Sequence, residues 1–297
     1  MTTEVIDLAN PSVICADWAR LEHGVGAAVG GLTSEGLLVC SGSPNDLSNG
    51  KLYELPEDED SSSSNKCFLI TETGIELMPE LDLGTAYSAG VIVNDFLFIT
   101  GGDRERGEVY TNRTEYVWNN THAFQGPNLP TAVAAHCITK LSDDQYVLTG
   151  GRIGNGNLLD KTWYFSRNLE KWTLGPNMGT SRFNHACGSF VLNGERIAVV
   201  AGAGNDNANK STVEFLSQNE WRKGPDLPES YDLRGHQIVF QDNALFYINT
   251  KDNVILKLDC ELIDACTWIP LPQILKKIRK HAVVALIPED RSNCTEN

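Results

Sequence analysis

Short apolar runs separated by Gly/Pro turns fill almost the whole chain, and the turns recur with a fixed period. Gly126-Pro-Asn-Leu-Pro130, Gly175-Pro-Asn-Met-Gly179 and Gly224-Pro-Asp-Leu-Pro228 stand 49 residues apart. A His opens a first apolar run in each interval: His136-Cys-Ile-Thr-Lys-Leu141, His185-Ala-Cys-Gly-Ser-Phe-Val191, His236-Gln-Ile-Val-Phe240 and His281-Ala-Val-Val-Ala-Leu286. A second run closes on glycine, as in Phe96-Leu-Phe-Ile-Thr-Gly-Gly102, Tyr146-Val-Leu-Thr-Gly-Gly151 and Ile197-Ala-Val-Val-Ala-Gly202. A polar loop then leads to a third strand with a Tyr or Phe (Tyr116, Tyr164, Phe215). A fourth carries Trp172 or Trp221 three residues before the Gly-Pro turn, with Trp268 in the same place before Ile-Pro-Leu-Pro272.

Runs this short with a period near 50 residues predict small four-stranded sheets repeated around an axis, a β-propeller. Paired glycines at the end of the second strand permit positive φ and a close approach of the neighbouring backbone. The Trp and Tyr supply apolar area where one thin sheet packs on the next. The order of elements resembles the kelch repeat. The resemblance is strongest over residues 121–260 and is broken at both ends.

Dividing 297 residues by the period gives six blades: 23–83, 84–130, 131–179, 180–228, 229–272 and a composite of 273–297 with 1–22. The expectation is therefore an all-β, six-bladed propeller in one domain spanning 1–297. Pairing of N- and C-terminal strands in one blade would close the ring and remove free edges. No second strand is visible for that blade. An insertion in blade one, about Ser43 to Lys66, contains Glu57-Asp-Glu-Asp60 and Ser61 to Ser64, and reads as an acidic loop or a tolerated expansion.

The net charge of −15 argues against nucleic acid and anionic membrane surfaces as partners. No run of 18 or more apolar residues is present, so no membrane span is expected. The first residues carry no signal-peptide pattern. Eight cysteines are many for a cytosolic chain. The strand order suggests Cys40–Cys67, Cys260–Cys266 and a terminal latch Cys15–Cys294, with Cys137 and Cys187 as buried thiols. Sequons at Asn112, Asn119, Asn209 and Asn293 agree with an oxidising, extracellular setting, a leader lying outside this sequence; a cytoplasmic setting is the alternative.

His23, His136, His185, His236 and His281 share one register, with Ser88 in that place in blade two, and equivalent positions on a ring lie on a circle. They are either structural residues bonded to the adjoining blade or a channel metal site. On the same side, Tyr87, Arg182, Phe183, Arg234 and Arg279 precede first strands, and Arg104 and Arg152 follow second strands. Kelch-like modules bind peptides over this face, so the resemblance implies that Arg182, Arg234 and Arg279 pair with partner carboxylates, while Arg104 and Arg152 add to the surface on that side. No nucleophile, base and orienter can be assembled from known motifs. The reading is thus a monomeric, cofactor-free interaction module for a protein or glycan ligand. The alternative is a sugar-directed or oxidative enzyme with a galactose-oxidase-like propeller and a metal or His-lined channel.

Overall fold

The computed structural model describes residues 14–15, 27–42, 63–104, 109–118, 123–203, 210–231, 236–241, 244–272 and 294–295. Strand β1 (Ile14–Cys15) comes first. Blade 1 is β2 (Val29–Leu32), β3 (Leu37–Cys40), β4 (Cys67–Ile70) and β5 (Ile75–Met78). Blade 2 is β6 (Ala89–Val93), β7 (Phe96–Thr100), β8 (Thr114–Val117) and β9 (Phe124–Gln125). Blade 3 is β10 (Cys137–Lys140), β11 (Gln145–Thr149), β12 (Thr162–Ser166) and β13 (Lys171–Leu174). Blade 4 is β14 (Ala186–Leu192), β15 (Glu195–Ala201), β16 (Val213–Ser217) and β17 (Glu220–Lys223). Blade 5 is β18 (His236–Gln241), β19 (Ala244–Asn249), β20 (Val254–Asp259) and β21 (Thr267–Pro270), and β22 (Cys294–Thr295) ends the chain. Each blade is an antiparallel meander in sequence order.

The second strands read as unbroken apolar runs because both of their faces are buried. On β7, Leu97 and Ile99 pack with Leu38 and Leu69 of blade 1, while Phe98 packs with Tyr146 and Phe165 of blade 3. On β15, Ala198 meets Val147 of blade 3, whereas Ile197, Val199 and Ala201 join Tyr247, Leu256 and Trp268 of blade 5. The period of two along a strand thus assigns alternate side chains to opposite neighbours. Hydrogen bonds reinforce the packing at the rim. The indole N–H of Trp172 donates to the Pro127 carbonyl at 3.0 Å, that of Trp221 to Pro176 at 3.2 Å and that of Trp268 to Pro225 at 2.9 Å. The repeated Gly-Pro turn is therefore the acceptor for the next blade's Trp.

Two sequence expectations are corrected. Among the described residues there are five four-stranded blades, not six, and no composite closing blade. The terminal segments instead contribute a two-stranded ladder, β1 against β22, with Cys15 opposite Cys294. The count of six followed from dividing the length by the period, which assumes a full blade in every interval of 49 residues. Cys137 and Cys187 are not thiols: they form a disulfide between β10 and β14, the first strands of blades 3 and 4. Neighbouring first strands are not hydrogen-bonded to each other, so no ladder marked this pair in the sequence. Cys40–Cys67 and Cys260–Cys266 are bridged. The acidic stretch 57–60, the terminal strand assignments apart from β1 and β22, His23, His281, Arg234, Arg279, Asn119, Asn209 and Asn293 lie outside the described residues.

Candidate functional site

The histidines are built into the contacts between blades. His136 Nε2 lies 2.8 Å from Thr100 Oγ1 of blade 2, and His185 Nε2 lies 2.8 Å from Thr149 Oγ1 of blade 3. Thr100 donates its own hydroxyl hydrogen to the Ala89 carbonyl, so it accepts from the Nε2–H of His136. His236 Nδ1 lies 3.0 Å from the Tyr247 hydroxyl, and its Nε2 contacts the Asn184 carbonyl of blade 4. All three rings are buried, and Nδ1 of His136 and His185 has no partner. Burial disfavours the imidazolium: it holds His136 down at about 3 and His185 well below the ordinary value, with Arg182 adding to the latter shift. Gly101, at φ 56°, makes room for the ring, since a Cβ there would lie 2.8 Å from His136 Cε1. Among the described residues no group of His, Cys, Asp or Glu is arranged to hold a metal ion.

A belt of main chain runs around the mouth just before the first strands. Ala27, Tyr87, Ala135 and Asn184 occupy equivalent positions, each with φ between 49° and 55°. The N–H of Tyr87 donates to the Ala27 carbonyl at 3.2 Å, that of Ala135 to Tyr87 at 2.8 Å and that of Asn184 to Ala135 at 2.7 Å. The left-handed conformation lets one residue donate to the blade before and accept from the blade after. The His236 contact with the Asn184 carbonyl continues the series to blade 5.

Above this belt, three blades bring side chains together around Arg152. It follows Gly150–Gly151 of blade 3, and a pair of hydrogen bonds with Ala134 fixes its main chain, 2.8 and 3.0 Å. Its Nε donates to the Tyr110 hydroxyl of blade 2 at 2.9 Å. Its guanidinium carbon lies 5.9 Å from the ring centroids of both Tyr110 and Phe183, the latter from the loop into blade 4. Cation–π contact and one hydrogen bond hold the guanidinium, and no carboxylate among the described residues lies within ion-pair distance. Arg152, Phe183 and Tyr87 thus share one mouth. Arg104 is exposed on the loop after β7, beside Asp103, whose main chain pairs with Ala86 and Tyr110. Tyr110 was not marked in the sequence, because it sits in a polar loop of unequal length and its counterpart in blade 3, Leu158, is of a different type.

Arg182 is a correction. The sequence placed it on the binding surface, but its side chain is fully buried. Nη1 donates to the carbonyls of Gly202 at 2.7 Å and Thr212 at 3.0 Å. Nη2 reaches Thr212 Oγ1 and Glu214 Oε1, each at 2.9 Å. Glu214 also accepts from the N–H groups of Gly179 at 2.6 Å and Thr180 at 3.1 Å. The planar fork satisfies acceptors that would otherwise be buried without donors, so this arginine ties the incoming loop to blade 4. Asn112, the one sequon asparagine within the described residues, is half-buried and donates its amide to the Leu129 carbonyl at 3.3 Å.

No protein-family model matches the chain, and no curated protein matches it. Among solved structures the chain is similar to YjhT, at 12% identity with a TM-score of 0.68, over 86% of this chain and 87% of that one. At this identity the likeness concerns the fold, and together with the five blades it makes the chain a β-propeller. Among the described residues no helix is long and apolar enough to cross a membrane.

Proposed function

We propose that the chain is a non-enzymatic interaction module that binds a protein ligand across the mouth formed by blades 2 to 4. The observation that carries this is Arg152, oriented between Tyr110 and Phe183 with no carboxylate partner among the described residues. A guanidinium held this way can accept an acidic side chain at small entropic cost, and the flanking rings offer apolar contact to the same ligand. Tyr87 and Arg104 extend the surface. Three disulfides support an oxidising, extracellular setting for that partner. The register that sets Cys15 opposite Cys294 supports the terminal latch as a further bridge.

The enzymatic alternative has less behind it. The described histidines are committed to neighbouring blades, and the six described cysteines outside the terminal ladder are bridged, so none is free to cross-link to a tyrosine. The test is binding to an array of peptides that differ in acidic content. Acidic peptides should bind the wild-type protein, and Arg152→Glu should weaken them at least tenfold with an unchanged melting temperature. Equal binding by both proteins discards the reading.

A further inference from the structure

The aromatic rings most open to solvent among the described residues lie together at the outer end of blade 2. Trp118 is 42% exposed and Phe124 48%. Phe96 stands between them: its ring stacks on Trp118 with centroids 5.2 Å apart and meets Phe124 edge-on at 5.8 Å. Phe124 stacks in turn on Tyr116 at 5.1 Å, and Tyr116 on Phe98 at 4.4 Å, so the patch is the solvent end of an aromatic stack rooted between blades 2 and 3. The rings are thereby held in place before anything covers them. Exposed aliphatic side chains such as Leu77, Leu169 and Leu262 are spread over blades 1, 3 and 5, which is ordinary, whereas a cluster of open rings marks a contact surface.

The chain between the two open rings is long for its place in the fold. Residues 118–123 join β8 to β9, where blades 1, 3 and 4 use 71–74, 167–170 and 218–219. Blade 5 has a comparable stretch, 260–266, tied across by Cys260–Cys266. Blade 2 has no cysteine there and carries the sequon Asn119-Asn-Thr121 instead. The stretch outside the described residues begins directly after Trp118 and ends directly before Ala123, the neighbour of Phe124. Residue 119 is one peptide from Trp118, about 3.8 Å between Cα atoms. A sugar linked there is tethered beside the open rings at high effective concentration. The C–H bonds on one face of a pyranose suit the negative face of an aromatic ring, and its hydroxyl groups can stay in water. Asn112 differs, since its amide is already bonded to the Leu129 carbonyl.

We infer that the patch of Phe96, Trp118 and Phe124 seats an N-linked glycan carried at Asn119, with the first N-acetylglucosamine against the two open rings. In forming the link, the side-chain amide nitrogen bonds to the anomeric carbon of a lipid-diphosphate-linked oligosaccharide. The lipid diphosphate leaves with the electron pair, and the amide gives up one proton. The inference rests on the extracellular setting argued above and not on the mouth. Its test uses the whole chain secreted from cells that make only high-mannose sugars. Peptide mass spectrometry after amidase release in heavy-oxygen water should mark Asn119 as occupied. Melting is then compared for the intact glycoprotein, the form trimmed to one N-acetylglucosamine by an endoglycosidase, and the form stripped by the amidase. The first two should melt together and the stripped form about 2 °C lower. In Trp118→Ser and Phe124→Thr, both exposed positions, stripping should cost nothing. The aspartate that the amidase leaves is common to all three proteins and cancels. An unoccupied Asn119 beside an occupied Asn209 or Asn293 overturns the inference and leaves the extracellular setting standing, whereas a chain with no occupied sequon counts against both. An equal loss on stripping in wild type and both variants also overturns it, as does no loss in wild type.

Discussion

Mild acid should destabilise this propeller through histidines that cannot take up a proton while it is folded. His136 is buried and held down at about 3, whereas in an unfolded chain it titrates near 6.5. Between those values the unfolded chain binds one more proton, so stability falls as pH is lowered below 6.5 and the loss levels off near 3. Above 6.5 both states are neutral at this position and the contribution is complete. From pH 7 to 4.5 the loss for His136 alone is about 2.5 kcal/mol, a large share of a typical stability of about 5–15 kcal/mol. His185 acts in the same direction. The assay is urea unfolding of wild type and His136→Gln at both pH values. Carboxylates common to the two proteins cancel in the comparison. The variant should be less stable at pH 7, and the gap should narrow or reverse at pH 4.5. Parallel losses in the two proteins would refute the reasoning, as would an NMR titration placing the folded His136 near 6.5.

Replacing Arg182 by Met leaves the Glu214 carboxylate buried without its partner and should cost about 3–5 kcal/mol, part of which Glu214→Leu in the same chain should restore. Urea midpoints measure both, and a single variant within about 1 kcal/mol of wild type would show the pair to be dispensable. The Cys137–Cys187 bridge spans a sequence separation of 50, and by loop entropy its replacement by two serines should cost about 4 kcal/mol. Cys260–Cys266, with a separation of 6, should cost about 2.4 kcal/mol, and the reverse order in denaturant unfolding would count against the loop account.

The repeated, local features of the fold were legible in the sequence. Trp172, Trp221 and Trp268 marked the fourth strands of blades 3 to 5, and Gly101–Gly102 and Gly150–Gly151 the ends of the second strands of blades 2 and 3, because each arises from a requirement that recurs from blade to blade. Contacts made once between blades were not legible, whereas the bridges within a blade, Cys40–Cys67 and Cys260–Cys266, were. Cys137 and Cys187 each sit in an ordinary first-strand position, and only the adjacency of blades 3 and 4 makes them partners. Arg182 looked like a surface arginine because its acceptors are main-chain carbonyls, which the sequence does not display, and a glutamate 32 residues away. The blade count failed because dividing the length by 49 assumes a full blade in every interval, whereas the described residues of the terminal segments form the β1–β22 ladder. At the mouth, register singled out Arg152 and Phe183, and not the Tyr110 that the structure sets beside Arg152, because loop lengths after the second strands vary.

The Cys40–Cys67 bridge closes the neck between two strands already paired from Leu37–Ile70 to Cys40–Cys67. A second clasp lies just outside it, where Ser41 N–H bonds the Lys66 carbonyl and Ser64 N–H bonds that of Gly42, at 2.9 and 2.7 Å. The stretch from Ser43 to Ser62 therefore lies, in sequence, within the covalent loop that this disulfide closes. A protease cutting there produces two polypeptides but one particle, which migrates as an intact chain until a reductant separates the pieces.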